Sequence, residues 1–239
     1  MIRVTIFNEF VSEKDSQAVK AIYPDGIHIA LKEALQDDEI SVNTVTLDDE
    51  NCGITDEVLK NTDVLMWWGH LAHHKVPDEV AKKVHLEVLK GMGAIFLHSA
   101  HHSKPFRMLM GTTANLSWRE NSDWENLWVC KPSHPIAKGV SRFVRIPNDE
   151  VYCEPFDIPE PDELVFIGNY EGGEAFRSGC CWGRGNGNIF YFQPGHETFP
   201  VFKQAEVITI LKNAIKWANS GYRVDALECP RIEEKDKAN

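Results

Sequence analysis

The chain has 239 residues, of which 43% are hydrophobic, and a formal charge of −11. That is enough apolar material for one large α/β domain and the wrong sign for gripping a polyanion, so no nucleic-acid partner is expected. No apolar run approaches the length that spans a bilayer, and six cysteines without Cys-x-x-Cys spacing suit a reducing compartment, so no membrane partner and a cytoplasmic location are expected.

Ile2 to Phe7 reads as a first strand that runs into Asn8-Glu9-Phe10, which puts Glu9 at its carboxyl end. The connection from Val11 to Gly26 is long for a strand-to-helix loop, and such loops tend to be functional or mobile. Ile27 to Leu35 has helical spacing, Ile40 to Leu47 reads as a second strand, and Thr55 to Asn61 as a short helix capped by Thr55 or its neighbour. The stretch from Asp63 to His102 then says nearly the same thing twice. One apolar run ends in Trp67-Trp68-Gly69 and leads to His70-Leu-Ala-His73-His74; a second, Gly93 to Leu97, leads to His98-Ser-Ala-His101-His102. Between them Pro77 to Lys90 predicts an amphipathic helix, with Pro at its start and Gly91 just past its end. Parallel strands joined by one crossover are usually neighbours about 4.8 Å apart, so six of the ten histidines should crowd one region. In open parallel sheets the crevice beyond the strand carboxyl ends is where ligands bind. Histidines in loops are also often only solvated.

Ser103 to Gly111 predicts a short helix opened by Ser and stopped by Gly. From Asn115 to Tyr170 the chain turns rich in Trp, Pro and acidic residues, with short β-like runs at Leu127 to Cys130, Phe143 to Ile146 and Leu164 to Gly168. Asn186-Gly187 between apolar runs signals a late hairpin, and its second strand runs straight into Gln193-Pro-Gly-His196-Glu197. Val207 to Ala218 predicts a closing helix. One domain is expected over 1–225, with a charged tail over 226–239.

Neutral imidazoles bind divalent transition ions, and a catalytic site needs about three protein ligands with a position left open. His70, His73, His101 and His196 are the candidate ligands, with zinc the first candidate ion. His98, Ser99 and Glu197 are the candidate catalytic groups. Ser99 stands where a strand-to-helix elbow would expose it, although the Gly-x-Ser-x-Gly pattern is absent. Aromatic residues Tyr152, Phe156, Tyr170 and Trp182 are interleaved with Glu150, Glu154, Glu171 and Glu174, and rings beside carboxylates suit polyhydroxylated ligands. Arg119 and Arg177 could hold a carboxylate or carbonyl oxygen, or simply form surface ion pairs. The candidate substrate-binding set is Glu9, Trp68, Lys104, Arg119, Glu150, Tyr152 and Arg177. The aromatic surplus suggests a homo-oligomer.

Trp67-Trp-Gly-His70, Leu97-His-Ser-Ala-His101-His-Ser-Lys-Pro-Phe106, Ser133-His-Pro-Ile136, Glu150-Val-Tyr152, Phe176-Arg-Ser-Gly179 and Ile189-Phe-Tyr-Phe-Gln-Pro-Gly-His-Glu197 together resemble the ThuA family, named for trehalose utilisation. The resemblance implies a class I glutamine amidotransferase-like fold: a flavodoxin-like, three-layer α/β domain with a mostly parallel sheet. It also implies carbohydrate catabolism on a sugar, or on a keto-disaccharide made by a partner dehydrogenase. In the amidotransferases the elbow carries cysteine and a His-Pro-Glu follows a late strand. Here the elbow position is assigned to Ser99, and Pro194-Gly-His196-Glu197 follows the strand, so glutamine hydrolysis is not expected. A metal-assisted sugar enzyme is the first reading; a non-catalytic sugar-binding or regulatory protein and a Ser99/His196 hydrolase are the alternatives.

Overall fold

The apolar runs assemble into a parallel half-sheet because helices carry the chain back between them. In the computed structural model, which describes residues 1–229 and 231, these strands are β1 (Ile2–Asn8), β2 (Ile40–Thr46), β3 (Val64–Trp68), β4 (Gly93–Leu97) and β9 (Gly187–Phe192). Every residue of β3 and β4 is buried, as expected of strands covered on both faces. On one face, α3 (Ile27–Leu35) and α7 (Ala205–Ala218) pack Leu31, Leu35, Ile210 and Leu211 against Ile6, Met66, Ile95 and Phe192. On the other, α4 (Asp56–Lys60), α5 (Asp78–Lys90) and α6 (Lys104–Met110) pack Leu59, Val84 and Phe106 against Leu65, Trp67 and Phe96. The three layers and the repeated strand, crossover helix and histidine loop are as the sequence predicts. Thr55 and Ser103 cap α4 and α6, and Gly91 and Gly111 end α5 and α6 with positive φ.

The sheet is mixed, which corrects the expectation of a mostly parallel one. Its nine strands run in the order β2-β1-β3-β4-β9-β8-β7-β5-β6, where β5 is Ser117–Val129, β6 Phe143–Cys153, β7 Glu163–Tyr170 and β8 Ala175–Arg184. Four neighbouring pairs are parallel and four are antiparallel. From Ser117 to Phe192 the chain contains no α-helix to carry a crossover, so neighbouring strands pair antiparallel: β5–β6, β7–β8 and β8–β9 follow one another as pairs, and β7 returns past β6 to the other side of β5. The short β-like runs were only the apolar parts of these strands. β5 is polar from Glu120 to Asp123, and its pairing with β6 is interrupted there, between Arg119 and Asp123, with Ser122 at φ 58°.

Two local expectations also change. The segment after β1 is folded into two short helices, α1 (Ser12–Asp15) and α2 (Gln17–Ile22), with the Ser16 hydroxyl capping α2. The hairpin turn is Gly185-Asn186, at φ 58° for Gly185, and Gly187 already belongs to β9. Of the expected tail, residue 230 and residues 232–239 lie outside the described residues. Among the described residues no helix is long and apolar enough to cross a membrane.

Gly187 lets the hairpin approach the end of α5, because a side chain there would meet the carbonyl oxygens of Val88 and Met92. Gly187→Ala should cost about 1–3 kcal/mol by forcing these backbones apart. Urea unfolding measures this, and an unchanged midpoint would mean that hairpin and helix are not packed as described.

Candidate functional site

Four strands deliver polar side chains to one place. His70 follows β3, His98 follows β4, His196 and Glu197 follow β9, and Glu150 lies near the carboxyl end of β6. The imidazole centroids of His70 and His196 are 5.2 Å apart, those of His98 and His196 5.3 Å, and those of His70 and His98 6.2 Å. His70 Nδ1 lies 2.7 Å from Glu197 Oε1, which also accepts a hydrogen bond of 2.9 Å from the Ser12 hydroxyl. His98 Nε2 lies 3.0 Å from Glu150 Oε2, and its Nδ1 is 2.8 Å from the Gln193 carbonyl oxygen.

The strained residue of the elbow is His98, at φ 50°, not Ser99. A side-chain-bearing residue in this region costs about 1 kcal/mol or more, and persists only where its surroundings hold it. Here both ring nitrogens and the stacked ring of Tyr152, 4.9 Å away at 18°, do so. The Ser99 hydroxyl is buried with no hydrogen-bond partner, so no base is aligned on it. No cysteine occupies the elbow.

Environment separates the imidazoles into charged and neutral. Burial works against a charge on His98, but the hydrogen-bonded Glu150 and nearby Asp149 outweigh it and hold the ring up at about 9. Burial and the positive His98 bring His196 down to about 4, so it is neutral. Burial would raise Glu197, yet the His70 hydrogen bond and the surrounding imidazoles bring it down to about 2. His196 Nδ1 is tied to the Thr198 hydroxyl at 2.7 Å, which leaves Nε2 facing the cluster, 3.7 Å from Glu197 Oε2.

The donor set fits a divalent ion. The donor atoms of His70, His196 and Glu197 lie within 4.8 Å of one another, and so do those of His98, Glu150 and His196. Glu197 Oε2 is buried with no hydrogen-bond partner, and an unpaired buried carboxylate oxygen calls for a cation.

The remaining candidates fall elsewhere. His101 is buried outside both donor sets, its Nδ1 2.7 Å from the Ala114 carbonyl, and burial drives its pKa well below the ordinary range. His73, lowered by burial to about 3, stands nearer His102, with ring centroids 6.3 Å apart. Glu9 is buried and accepts the backbone N–H groups of Leu71 and Ala72 at 2.5 and 2.9 Å, so it fixes the His70 loop. Trp68 is fully buried and donates its indole N–H to the Gly195 carbonyl at 3.1 Å. Lys104 is bonded to the Val76 carbonyl and Asp78, Arg119 to Asp123 and Glu174, and Arg177 to Glu154 and the Phe156 carbonyl. These residues anchor the scaffold instead of facing a ligand. Tyr152, Phe156, Tyr170 and Trp182 are all buried, which removes them as sugar platforms.

Sequence reasoning missed Asp149. Fully buried, it accepts the backbone N–H groups of Glu150 at 2.9 Å, Gly195 at 3.0 Å and His196 at 3.1 Å. Its only signal was a pair of adjacent acids late in a strand. A cleft of about 530 Å³ lies at the other end of the sheet, where Lys83, Lys90 and Arg223 are ion-paired to Asp56 and Glu87.

Comparison with known proteins bears on this geometry. The family model ThuA, described as trehalose utilisation, matches residues 3–218. A ThuA-like protein from Parabacteroides merdae ATCC 43184 is similar in structure, with a TM-score of 0.68 and 15% identity over 95% of this chain and 92% of that one. A cytoplasmic protein from Salmonella typhimurium LT2 is similar with a TM-score of 0.59 and 10% identity, over 92% of this chain and 100% of that one. A glutamine amidotransferase from Thermotoga maritima is similar with a TM-score of 0.53 and 12% identity, over 92% of this chain and 98% of that one. At these identities the likeness is one of fold. No curated protein sequence matches the chain.

The raised pKa of His98 has a definite sign in stability. The folded value of about 9 lies above the unfolded value of about 6.5, so the contribution is complete below pH 6.5 and is lost as pH rises through 9. In chelator-treated protein the stability gap between wild type and His98→Gln should narrow across that window in urea melts. A gap that stays constant would mean that His98 is not held as the cation.

Proposed function

The chain belongs to the ThuA family, and from that membership and the site we propose a cytoplasmic carbohydrate-catabolism enzyme that acts on a sugar or keto-disaccharide with a histidine-bound divalent metal. The observation that supports this reading most is the convergence of His70, His98 and His196 from three strand ends onto the buried carboxylates of Glu150 and Glu197. The family description supplies the substrate class.

His70, His196 and Glu197 would hold the ion, zinc being the first candidate from the nitrogen and oxygen donors. Bound there, it would polarise a carbonyl or hydroxyl oxygen of the sugar as a Lewis acid. His98 is unsuited to be a ligand because both its nitrogens are engaged and the ring keeps its proton. Its Nε2–H faces Glu150, so its proton would reach a sugar oxygen through that carboxylate. Glu150 steadies the imidazolium before the transfer and orients the ring during it. Ser12 and His70 fix the Glu197 carboxylate in rotation, and the Thr198 hydroxyl and backbone N–H hold the His196 ring at Nδ1. Glutamine hydrolysis has no thiol at the elbow to start from, and the Ser99 hydroxyl has no base aligned on it.

Protein purified without affinity tags or added ions should carry about one divalent ion per chain, read by elemental analysis. His196→Ala should lose it. His98→Gln should keep it and lose roughly 10²- to 10⁴-fold in turnover of a keto-sugar, the usual worth of a placed proton donor. Metal-free protein that still binds sugar would sink the enzyme in favour of a binding protein.

A further inference from the structure

Six of the seven tryptophans have an evident structural use. Trp67, Trp68 and Trp182 are fully buried, Trp217 packs on the core, Trp128 stacks near Phe143, and the Arg145 guanidinium lies 3.7 Å above Trp124. Trp118 is 66% exposed and has no ring or cation over it among the described residues. The position of this indole is set from two sides.

Along the chain, the segment leading into β5 begins at Ala114, whose carbonyl oxygen accepts from His101, and reaches Glu120, whose carboxylate lies 4.0 Å from His196 Nε2 and 3.5 Å from the Thr198 hydroxyl. β5 therefore passes beside the histidine cluster at Glu120, two residues beyond Trp118. Across the sheet, Trp118 is paired with Tyr152, so their side chains leave the same face, and Tyr152 is the residue stacked on His98. The Glu120 side chain is half exposed.

We propose that Trp118 and Glu120 form a second carbohydrate subsite at the mouth of the cluster, where the outer ring of a disaccharide stacks on the indole and gives its hydroxyls to Glu120. The inference rests on the carbohydrate reading above and makes it more specific. A pyranose offers a face of C–H groups to an indole and a rim of hydroxyls to a carboxylate, which accepts on both oxygens. The ring that reacts then occupies the buried histidine cluster. The subsite gives the protein a reason to prefer a disaccharide to a single sugar, because a monosaccharide fills only one of the two places.

The test is calorimetric titration of the full chain with trehalose, maltose, sucrose and lactose, and with glucose as the single-ring control. Wild type should bind at least one disaccharide about tenfold or more tightly than glucose. Trp118→Ala should bring that ratio close to one while leaving glucose affinity and metal content unchanged. Trp118→Phe should restore part of the preference, and Glu120→Gln should weaken the disaccharide alone. Wild type that binds disaccharide no more tightly in the presence of Trp118 than in the alanine variant would overturn the subsite only. Wild type that binds none of the five sugars would overturn the carbohydrate reading together with it.

Discussion

The carboxylate of Asp149 is the tie on which the site depends. A carboxylate taken wholly out of water is tolerated only where donors replace its hydration, and three backbone N–H groups do so here. Two of them belong to Gly195 and His196, in the loop after β9, while Asp149 itself belongs to β6 in the antiparallel half. The bond thus fixes the end of the parallel half against the antiparallel arm. Trp68 on the Gly195 carbonyl and the Gln193 side chain on the Glu150 carbonyl brace the same joint from either side. His98 faces Glu150 and His196 faces Glu197 only because this joint holds the loop in place.

The same burial that makes the joint necessary gives the imidazoles different tasks. His98 and His196 are close neighbours of one residue type, yet one is held as a cation by Glu150 and the other is held neutral by burial and by the charge of the first. Titratable groups whose environments push them apart are the usual mark of divided acid and ligand roles. In the proposed enzyme the neutral ring receives the metal and the charged ring supplies the proton. Glu9, Lys104, Arg119 and Arg177 serve the scaffold, each with its charge already met by backbone groups or an opposite side chain.

The likeness to a glutamine amidotransferase illustrates how little a fold commits its site. The elbow is kept as geometry, with a side-chain-bearing residue at positive φ after β4, but the residue there is an imidazole bonded through both nitrogens. At that position this chain buries an imidazole held between Glu150 and the Gln193 carbonyl. The neighbouring Ser99, which stands at the expected elbow without the Gly-x-Ser-x-Gly pattern, is buried.

The sequence alone determined the strand and helix that repeat around the two histidine blocks, the caps of α4, α5 and α6, and the meeting of positions 70, 98 and 196 at one end of the sheet. These follow from local rules: apolar runs of strand length, a Pro-to-Gly helix between them, and the constraint that a crossover returns the chain to the same edge. The course of β5 was decided only by tertiary pairing, since it is polar along much of its length and takes its direction from the neighbours it bonds, whereas the hairpin of β8 and β9 was already signalled by Asn186-Gly187. Which histidines see the cluster was decided there too. His70 and His73 are three residues apart in one loop, but the turn between them, held by Glu9 on Leu71 and Ala72, sends only the first toward Glu197. Asp149 and Trp118 had no legible pattern for the same reason, because the partners that give them meaning lie on strands whose pairing the linear chain does not encode locally.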